Sequence, residues 1–295
     1  MKGIVGVVGL GIMGGAMARN LAAAGWRVIG FDPDADRRAE LAADGVEIAD
    51  NLAALARAVP TIITSLPSPK ALFATAEGLA AAGRERRVVV ETSTLTLEDK
   101  LRAEALFREA GHLCLDCPLS GTGAQARDRD LVVYASGDSD TIADLKPLFA
   151  DFAKAAHDLG VFGNGSRMKY VANLLVAVHN VAAAEALVLG IKAGLDPHQI
   201  IDLITPGAGN SRVFELRAPM MADNRYEPAT MKVSIWQKDM AIIGAFAAEL
   251  GCPTPLLSAT LPVYASAMAR GHAGHDTAAV CEVLEAMAGL DRNKA

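Results

Sequence analysis

The sequence predicts an α/β protein in which a mostly parallel sheet, covered by helices, is joined through one long helix to an all-α second half. Three observations carry that expectation. Short β-rich runs alternate with Ala-rich helical stretches up to about Gly163, the pattern that makes parallel βαβ layers. The β pattern stops after Gly165. The next stretch, SRMKYVANLLVAVHNVAAAEALVLGIKAG, could form one helix of roughly 28 residues, far above the usual ~11–12.

The candidate strands are GIVGVV (3–8), RVIGFD (27–32), TIITSL (61–66), RVVVET (87–92), HLCLDC (112–117) and LVVYAS (131–136). Each is short, and between most of them lie Ala-rich segments with apolar residues at helical spacing. The long helix ends at Gly194, a suitable C-cap. Further helices are expected over PHQIIDLI, SRVFELRAPMM, VSIWQKDMAIIGAFAAEL, PLLSATLPVYASAMARG and DTAAVCEVLEAMAGL.

Composition bounds the function. The chain has 295 residues, 52% hydrophobic and 21% charged, with a net charge of −6. It can bury a core, and its acidic balance argues against a nucleic-acid partner. No targeting segment is visible at MKGIVGVVGLG. The apolar stretch VANLLVAVHNVAAAEALVLG carries His179, Asn180 and Glu185, which argues against a membrane span. A cytoplasmic protein is expected. The CLDC pair, Cys114 and Cys117, falls at the end of a strand and not at a helix start where a thiolate would be stabilised. It reads as structural, as do Cys252 and Cys281. The HAGH run at 272–275 lies between glycines with no carboxylate cluster, so no metal site is expected.

The stretch VVGLGIMGGAMARNLAAAGW places Gly9, Gly11 and Gly14 where the first strand hands over to a helix. Gly9 permits a tight turn, Gly11 lets a pyrophosphate approach the backbone, and Gly14 lets helix pack on sheet. The amides at the start of the 12–24 helix, with Ile12 and Met13 in its first turn, offer donors and positive dipole to phosphates. Asp32 closes the second strand, where its carboxylate can accept from an adenosine ribose. This is a Rossmann dinucleotide-binding reading. Asp32 would repel a ribose 2′-phosphate and so favours NAD, whereas Arg37 or Arg38 could reach such a phosphate and keep NADP possible. A methyltransferase-type site could share glycines and acid, but the full glycine run points to a dinucleotide.

The run GLGIMGGAMARNL resembles the cofactor signature of the β-hydroxyacid dehydrogenase family, which includes 3-hydroxyisobutyrate dehydrogenases and tartronate semialdehyde reductases. The resemblance extends from about residue 3 to about residue 290. It implies a 6-phosphogluconate dehydrogenase-like arrangement: an NAD(P)-binding Rossmann domain over 1–163, and an all-α substrate and oligomerisation domain over 164–295. The family's substrate loop is matched by DCPLSGTGAQARDRDL, 116–131. The resemblance implies that Ser120 and the backbone around Gly121 and Thr122 seat a substrate carboxylate, a compact anion site of hydroxyl and amides. Thr122 and Ala124 stand where the family commonly has glycines. GNGSRMKYVAN, 163–173, matches the segment carrying the family's catalytic lysine, here Lys169, and substrate-orienting asparagine, here Asn173. The two share a helix face at i and i+4, with Asn180 near the same line. WQKDM, 236–240, matches a family Lys-Asp pair and implies Lys238 beside the cofactor, with Asp239 anchoring helix packing. Thr94 of ETST, with Ser93 as the neighbouring candidate, and Leu66 and Pro67 of SLP match cofactor-contacting segments.

The expected activity is hydride transfer between NAD and the hydroxyl carbon of a small 3-hydroxy acid resembling 3-hydroxyisobutyrate, glycerate or threonate. Polar Thr122 and Gln125 lean toward a hydroxylated substrate. The alternatives are NADPH-dependent reduction of a short semialdehyde acid and a non-catalytic dinucleotide-binding module. Imine reductases related to the family generally lack the lysine found here. A homodimer or homotetramer through the α half is expected. Trp236 could shape a pocket or fill a core, and GAGNSRVF, 207–214, could close over substrate.

Overall fold

A computed structural model describes residues 2–83 and 85–292. Residues 1, 84 and 293–295, which fall within the two expected domains, lie outside the described residues. The chain divides into two compact units, one up to Lys169 and one from Tyr170 onward.

The first unit opens with β1 (Ile4–Val8), α1 (Ile12–Ala23), β2 (Arg27–Phe31), α2 (Ala35–Ala43), β3 (Glu47–Ile48), α3 (Leu52–Ala58) and β4 (Thr61–Thr64). It continues with α4 (Pro69–Ala80), β5 (Val88–Glu91), α5 (Leu97–Glu109) and β6 (Leu113–Asp116). These six strands form one sheet in the order β3-β2-β1-β4-β5-β6, and every pair is parallel. Side chains alternate across it, so neighbours on one strand serve different layers. Ile63 and Val90 pack with Met17 and Leu21 of α1, whereas Ile62 and Val89 pack with Leu72, Leu79 and Phe107 of α4 and α5. The helices between strands start where short polar side chains satisfy free amides: Asp34 for α2, Asn51 for α3, Ser68 for α4 and Thr96 for α5.

The run at 131–136 does not continue this sheet as the sequence pattern suggested. After β6 the chain turns through Cys117-Pro118 into β7 (Leu119–Ser120), α6 (Gly123–Arg127), β8 (Val132–Ala135), α7 (Ser139–Asp144), α8 (Lys146–Ala150) and β9 (Ala155–Asp158). β7 pairs antiparallel and β9 parallel with β8, giving a separate three-stranded sheet. The isolated Asp116–Ser136 bridge joins it to the end of β6. β3 and β7 have two residues each, and the partly exposed β9 reads AAHD, so none carried a β-rich apolar run.

α9 (Asn164–Lys192) is the long helix, 29 residues, and Gly194 after it takes φ +86°. The second unit then contains α10 (Pro197–Ile204), α11 (Arg212–Ala222), α12 (Val233–Glu249), α13 (Pro255–Ala269) and α14 (Val280–Met287), with short 3-10 turns at His272–Gly274 and Thr277–Ala279. Tyr170, Ala177, Leu187, Trp236 and Tyr264 share its apolar core, so Trp236 is a core residue. Two polar groups pin that core. Asn180 donates to the Tyr264 hydroxyl at 3.0 Å and to the Thr277 carbonyl at 2.9 Å. Buried Asp276 faces Arg217 at 3.2 Å and accepts from the Thr230 hydroxyl at 2.6 Å. Asn180 therefore ties α9 to the helical core, although it lies near the line of Lys169 and Asn173.

Candidate active site

The β1–α1 turn is built by close backbone approach. Gly9 has φ +88°, and a Cβ there would overlap the Ser65 carbonyl oxygen; one at Gly14 would overlap the Gly9 carbonyl oxygen. Only glycine permits this seam. Gly11 begins α1 with no side-chain cap, and no acidic residue sits in the first turn. The free amides and positive end of a helix thus open at the carboxyl edge of the sheet.

Beside that turn lies a cavity of ≈ 380 Å³, lined by Gly9, Asp32, Arg37, Leu66 and Pro67 together with Phe31, Ala71 and Thr75. It sits where the strand order reverses between β1 and β4, the place ligands take in doubly wound sheets. A smaller cavity of ≈ 270 Å³ on the other side of the turn is lined by Gly11, Ile12, Arg19, Arg37 and Arg127. Met13, by contrast, is half-buried against the sheet core. Ala71 and Thr75 were missed in the sequence; their signal was small residues one helical turn apart on one face of α4.

Asp32 is buried, and its carboxylate is already oriented. Oδ2 accepts from the Leu10 amide at 2.8 Å and Oδ1 from the Asp34 amide at 2.9 Å. Arg37 Nη1 lies 3.7 Å from Oδ2. Arg38 instead donates to the carbonyls of Asp32 and Pro33 at 2.7 and 3.0 Å, which commits it to the backbone. The residues present fit a dinucleotide: a glycine seam that any Cβ would fill, an uncapped helix start, and an oriented acid on a largely apolar cavity. After β5, the Ser93 hydroxyl accepts from the Leu66 amide at 2.8 Å, and half-buried Thr94 follows.

The loop after β6 places Ser120 at the end of β7, half-buried, with no hydrogen bond from its hydroxyl among the described residues. Gly121 has φ +138°. A Cβ at Gly123 would overlap Ile12, so this loop packs against the first turn of α1. Thr122 caps α6: its amide donates to Gln125 Oε1 at 3.0 Å, and its hydroxyl accepts from the Gln125 amide at 3.5 Å. Gln125 also donates to Asp130 at 2.9 Å. Thr122 and Gln125 are thereby committed to each other, which removes the basis for reading them as a polar substrate pocket.

Lys169 is buried on the second turn of α9, three residues beyond Ser166. Asn173 follows one turn later, also buried, and donates from Nδ2 to Asp239 Oδ2 at 3.0 Å. That bond decides which way the carboxamide faces. Asp239 in turn lies 3.1 Å from its neighbour Lys238 Nζ on α12. The acid of the Lys-Asp pair therefore orients an asparagine as well as packing a helix.

Residues 4–165 match the family described as the NAD binding domain of 6-phosphogluconate dehydrogenase, and residues 163–284 match that of the NAD-binding region of NADP-dependent 3-hydroxyisobutyrate dehydrogenase. An L-threonate dehydrogenase of Cupriavidus necator is 34% identical over 286 residues, 95% of each chain. The chain belongs to the β-hydroxyacid dehydrogenase family. Among solved structures, a 3-hydroxyisobutyrate dehydrogenase from Salmonella typhimurium is 30% identical, with a TM-score of 0.86 over 96% of this chain and 100% of that one. The Mycobacterium tuberculosis 3-hydroxyisobutyrate dehydrogenase, solved with L-serine, is likewise 30% identical, with a TM-score of 0.86 over 96% and 99%. This β-hydroxyacid dehydrogenase is thus an NAD(P)-binding oxidoreductase of 3-hydroxy acids.

Two other motifs of the dehydrogenase take buried or half-buried places. Cys114 and Cys117 are buried, and burial pushes both thiols well above their ordinary range. His272 and His275 bring their Nδ1 atoms within 3.0 Å of each other, and His272 Nε2 lies 3.6 Å from Glu282.

Proposed function

We propose that this dehydrogenase moves a hydride between NAD and the hydroxyl carbon of a small hydroxylated 3-hydroxy acid of the threonate type. The observation that carries the proposal is buried Lys169 on α9, followed one turn later by an asparagine whose carboxamide is held by Asp239. NAD, when bound, supplies the hydride acceptor at its nicotinamide ring. Lys169 takes the hydroxyl proton at Nζ during oxidation and returns it in the reverse direction. Asn173 orients the reacting hydroxyl, and Lys238 serves the cofactor. Ser120 Oγ and the Gly121 backbone seat the carboxylate; the Thr122 amide is spent on Gln125 and contributes shape. Gly9, Gly11, Gly14, Ile12 and Met13 hold the pyrophosphate turn, Asp32 the ribose, and Leu66, Pro67 and Thr94 the remaining edge.

A threonate-type acid is supported by the 34% identity to a relative named for that substrate, not by Thr122 and Gln125. NAD is supported by the buried carboxylate of Asp32 at the cavity wall. A second reading, NADPH-dependent reduction of a short semialdehyde acid, draws on Arg37, which lines both cavities beside the glycine turn. Domains meeting near 163/164, a cytoplasmic location, and a homodimer or homotetramer through the helical unit complete the proposal. The last is supported by exposed Val171, Leu175 and Leu189 along α9. α9 is long and apolar enough to cross a membrane, but it carries buried Lys169, Asn173 and Asn180.

The test is nicotinamide absorbance with purified protein, NAD or NADP, and a panel of 3-hydroxyisobutyrate, glycerate, L-threonate and L-serine. Turnover with NAD and L-threonate supports the proposal. Turnover only with NADPH and a semialdehyde acid replaces it with the second reading.

A further inference from the structure

Lys100 on α5 is fully buried, an unusual fate for an ammonium. Its Nζ lies 2.6 Å from Asp116 Oδ1 and 2.7 Å from Glu91 Oε2. The 2.7 Å contact with Glu91 is an ion pair between two buried side chains. Glu91 and Asp116 end neighbouring parallel strands and pair in register. Two carboxylates side by side without solvent repel, and Lys100 makes their placement tolerable.

Each acid then reaches outward. Asp116 Oδ2 accepts from the Ser166 amide at 2.7 Å, and Oδ1 accepts from the Ser166 hydroxyl at 2.8 Å. Ser136 Oγ donates to Asp116 Oδ2 at 3.2 Å and accepts from the Gly165 amide at 3.0 Å. Two free amides at the start of α9 are thus satisfied from the ends of β6 and β8. The approach is as close as a backbone allows, because a Cβ at Gly165 would overlap the Tyr134 carbonyl oxygen. On the other side, Glu91 Oε1 accepts from the Ser93 amide at 2.9 Å, and Ser93 Oγ accepts from the Leu66 amide.

We propose that Lys100, Asp116 and Glu91 form a positioning device: one buried ion cluster that locks the first turns of α9, and with them Lys169, to the loops after β4, β5 and β6. This rests on the reading of Lys169 as the proton-handling group. The cluster itself touches neither substrate nor cofactor. It joins the segments that carry Leu66, Thr94, Ser120 and Lys169, so that the proton acceptor and the cofactor edge share one rigid frame. Burying three charges to join segments that apolar packing could have joined is costly, and it gives a defined geometry in return.

The test compares Ser166→Ala, Ser166→Thr, Asp116→Asn and the Asp116→Asn/Ser166→Ala double variant in the full chain. Readouts are kcat, the acid's KM, NAD affinity by nucleotide fluorescence titration, and hydrogen exchange of residues 164–169. Losing one charge-assisted bond should lower kcat about 10-fold in Ser166→Ala, and losing the charge about 100-fold in Asp116→Asn. NAD affinity should stay within about 2-fold, and the double variant should be no worse than Asp116→Asn, because both changes break one network. Ser166→Thr keeps the hydroxyl and should restore kcat. Exchange at 164–169 should rise while the rest of the first unit stays protected.

An unchanged kcat in both single variants overturns the proposal, as does an equal loss of kcat and NAD affinity with protection falling throughout the unit. If Asp116→Asn does not fold, the Ser166 pair decides alone. Absence of turnover in the unmodified protein would count against the dehydrogenase reading. Exchange at 164–169 would then still decide whether Asp116 clamps the turn.

Discussion

Asp32→Asn should shift the enzyme's preference from NAD toward NADP by about two orders of magnitude. The carboxylate is buried, held by the Leu10 and Asp34 amides, and stands at the wall of the larger cavity. A charge-assisted hydrogen bond to a ribose hydroxyl exceeds a neutral one by about 1 kcal/mol, which NAD would lose. A 2′-phosphate about 5 Å from the carboxylate is repelled by about 3 kcal/mol per unit charge at an effective dielectric near 20. Arg37 beside it is half exposed, so solvent screening brings that to about 1.5–2 kcal/mol. Together the two effects approach 3 kcal/mol, or about 100-fold in the ratio of kcat/KM values. The carboxamide can accept from only one of the two amides, which costs about 1–3 kcal/mol of stability. That cost falls on both cofactors alike and cancels in the ratio. The assay is steady-state kcat/KM with each cofactor against one acid. A ratio moved by less than about 3-fold would refute the repulsion argument. Adding Arg37→Ala should then weaken NADP use about 10-fold if that guanidinium is what grips the phosphate.

Lys169→Ala should lower kcat by about 10²–10⁴ with NAD affinity retained, read by steady-state kinetics and fluorescence titration. Asp239→Asn should free the Asn173 carboxamide to turn and raise the acid's KM while lowering kcat about 10-fold, with NAD affinity unchanged. Gly14→Ala drives a Cβ into the Gly9 carbonyl oxygen, so dinucleotide affinity should fall at least about 10-fold and stability by about 1–3 kcal/mol, read as a Tm lower by about 2–4 °C for each kcal/mol. Burial alone would raise the Asp276 carboxyl, but Arg217, the Thr230 hydroxyl and the Ala278 and Met231 amides outweigh it and hold it below its usual range. A depressed carboxyl gives stability that is present above its unfolded pKa of about 3.9 and is lost as pH falls through the lower folded value. Thermal melts should therefore show an acid-induced loss that is diminished in Asp276→Asn.

What could be read from the sequence was written in short-range backbone physics. The glycine turn needs only the sign of φ at Gly9 and the contact at Gly14, both within one strand–turn–helix. The shared face of Lys169 and Asn173 follows from helical period alone. Five strands of the main sheet, β1, β2, β4, β5 and β6, each carry their own apolar run, whereas β3, β7 and β9 have too few buried residues to announce themselves. The same limit hid the local duty of two polar residues in the loop after β6. Thr122 and Gln125 sit at the capping-box spacing, and that local duty consumes the polarity assigned to substrate.

The groups that hold the site in place could not be found that way, because their partners are distant in sequence. Asp239 reaches Asn173 across 66 residues, and Asp116 reaches Ser166 across 50. One such group did leave a trace. Lys100, Ala103 and Phe107 are the buried positions of α5, spaced as one helical stripe. A charged residue on the stripe that faces a sheet must find its counter-charge there, since an unpaired buried ammonium is not sustainable. The helix faces β5 and β6, and both strands end in acids, Glu91 and Asp116. Helical period and strand termini together thus point to a buried ion cluster. That it also caps α9 depends on the turn through Cys117-Pro118 and on the second sheet, in which β7 and β9 carried too little local signal and β8, legible as a strand, was expected in the main sheet.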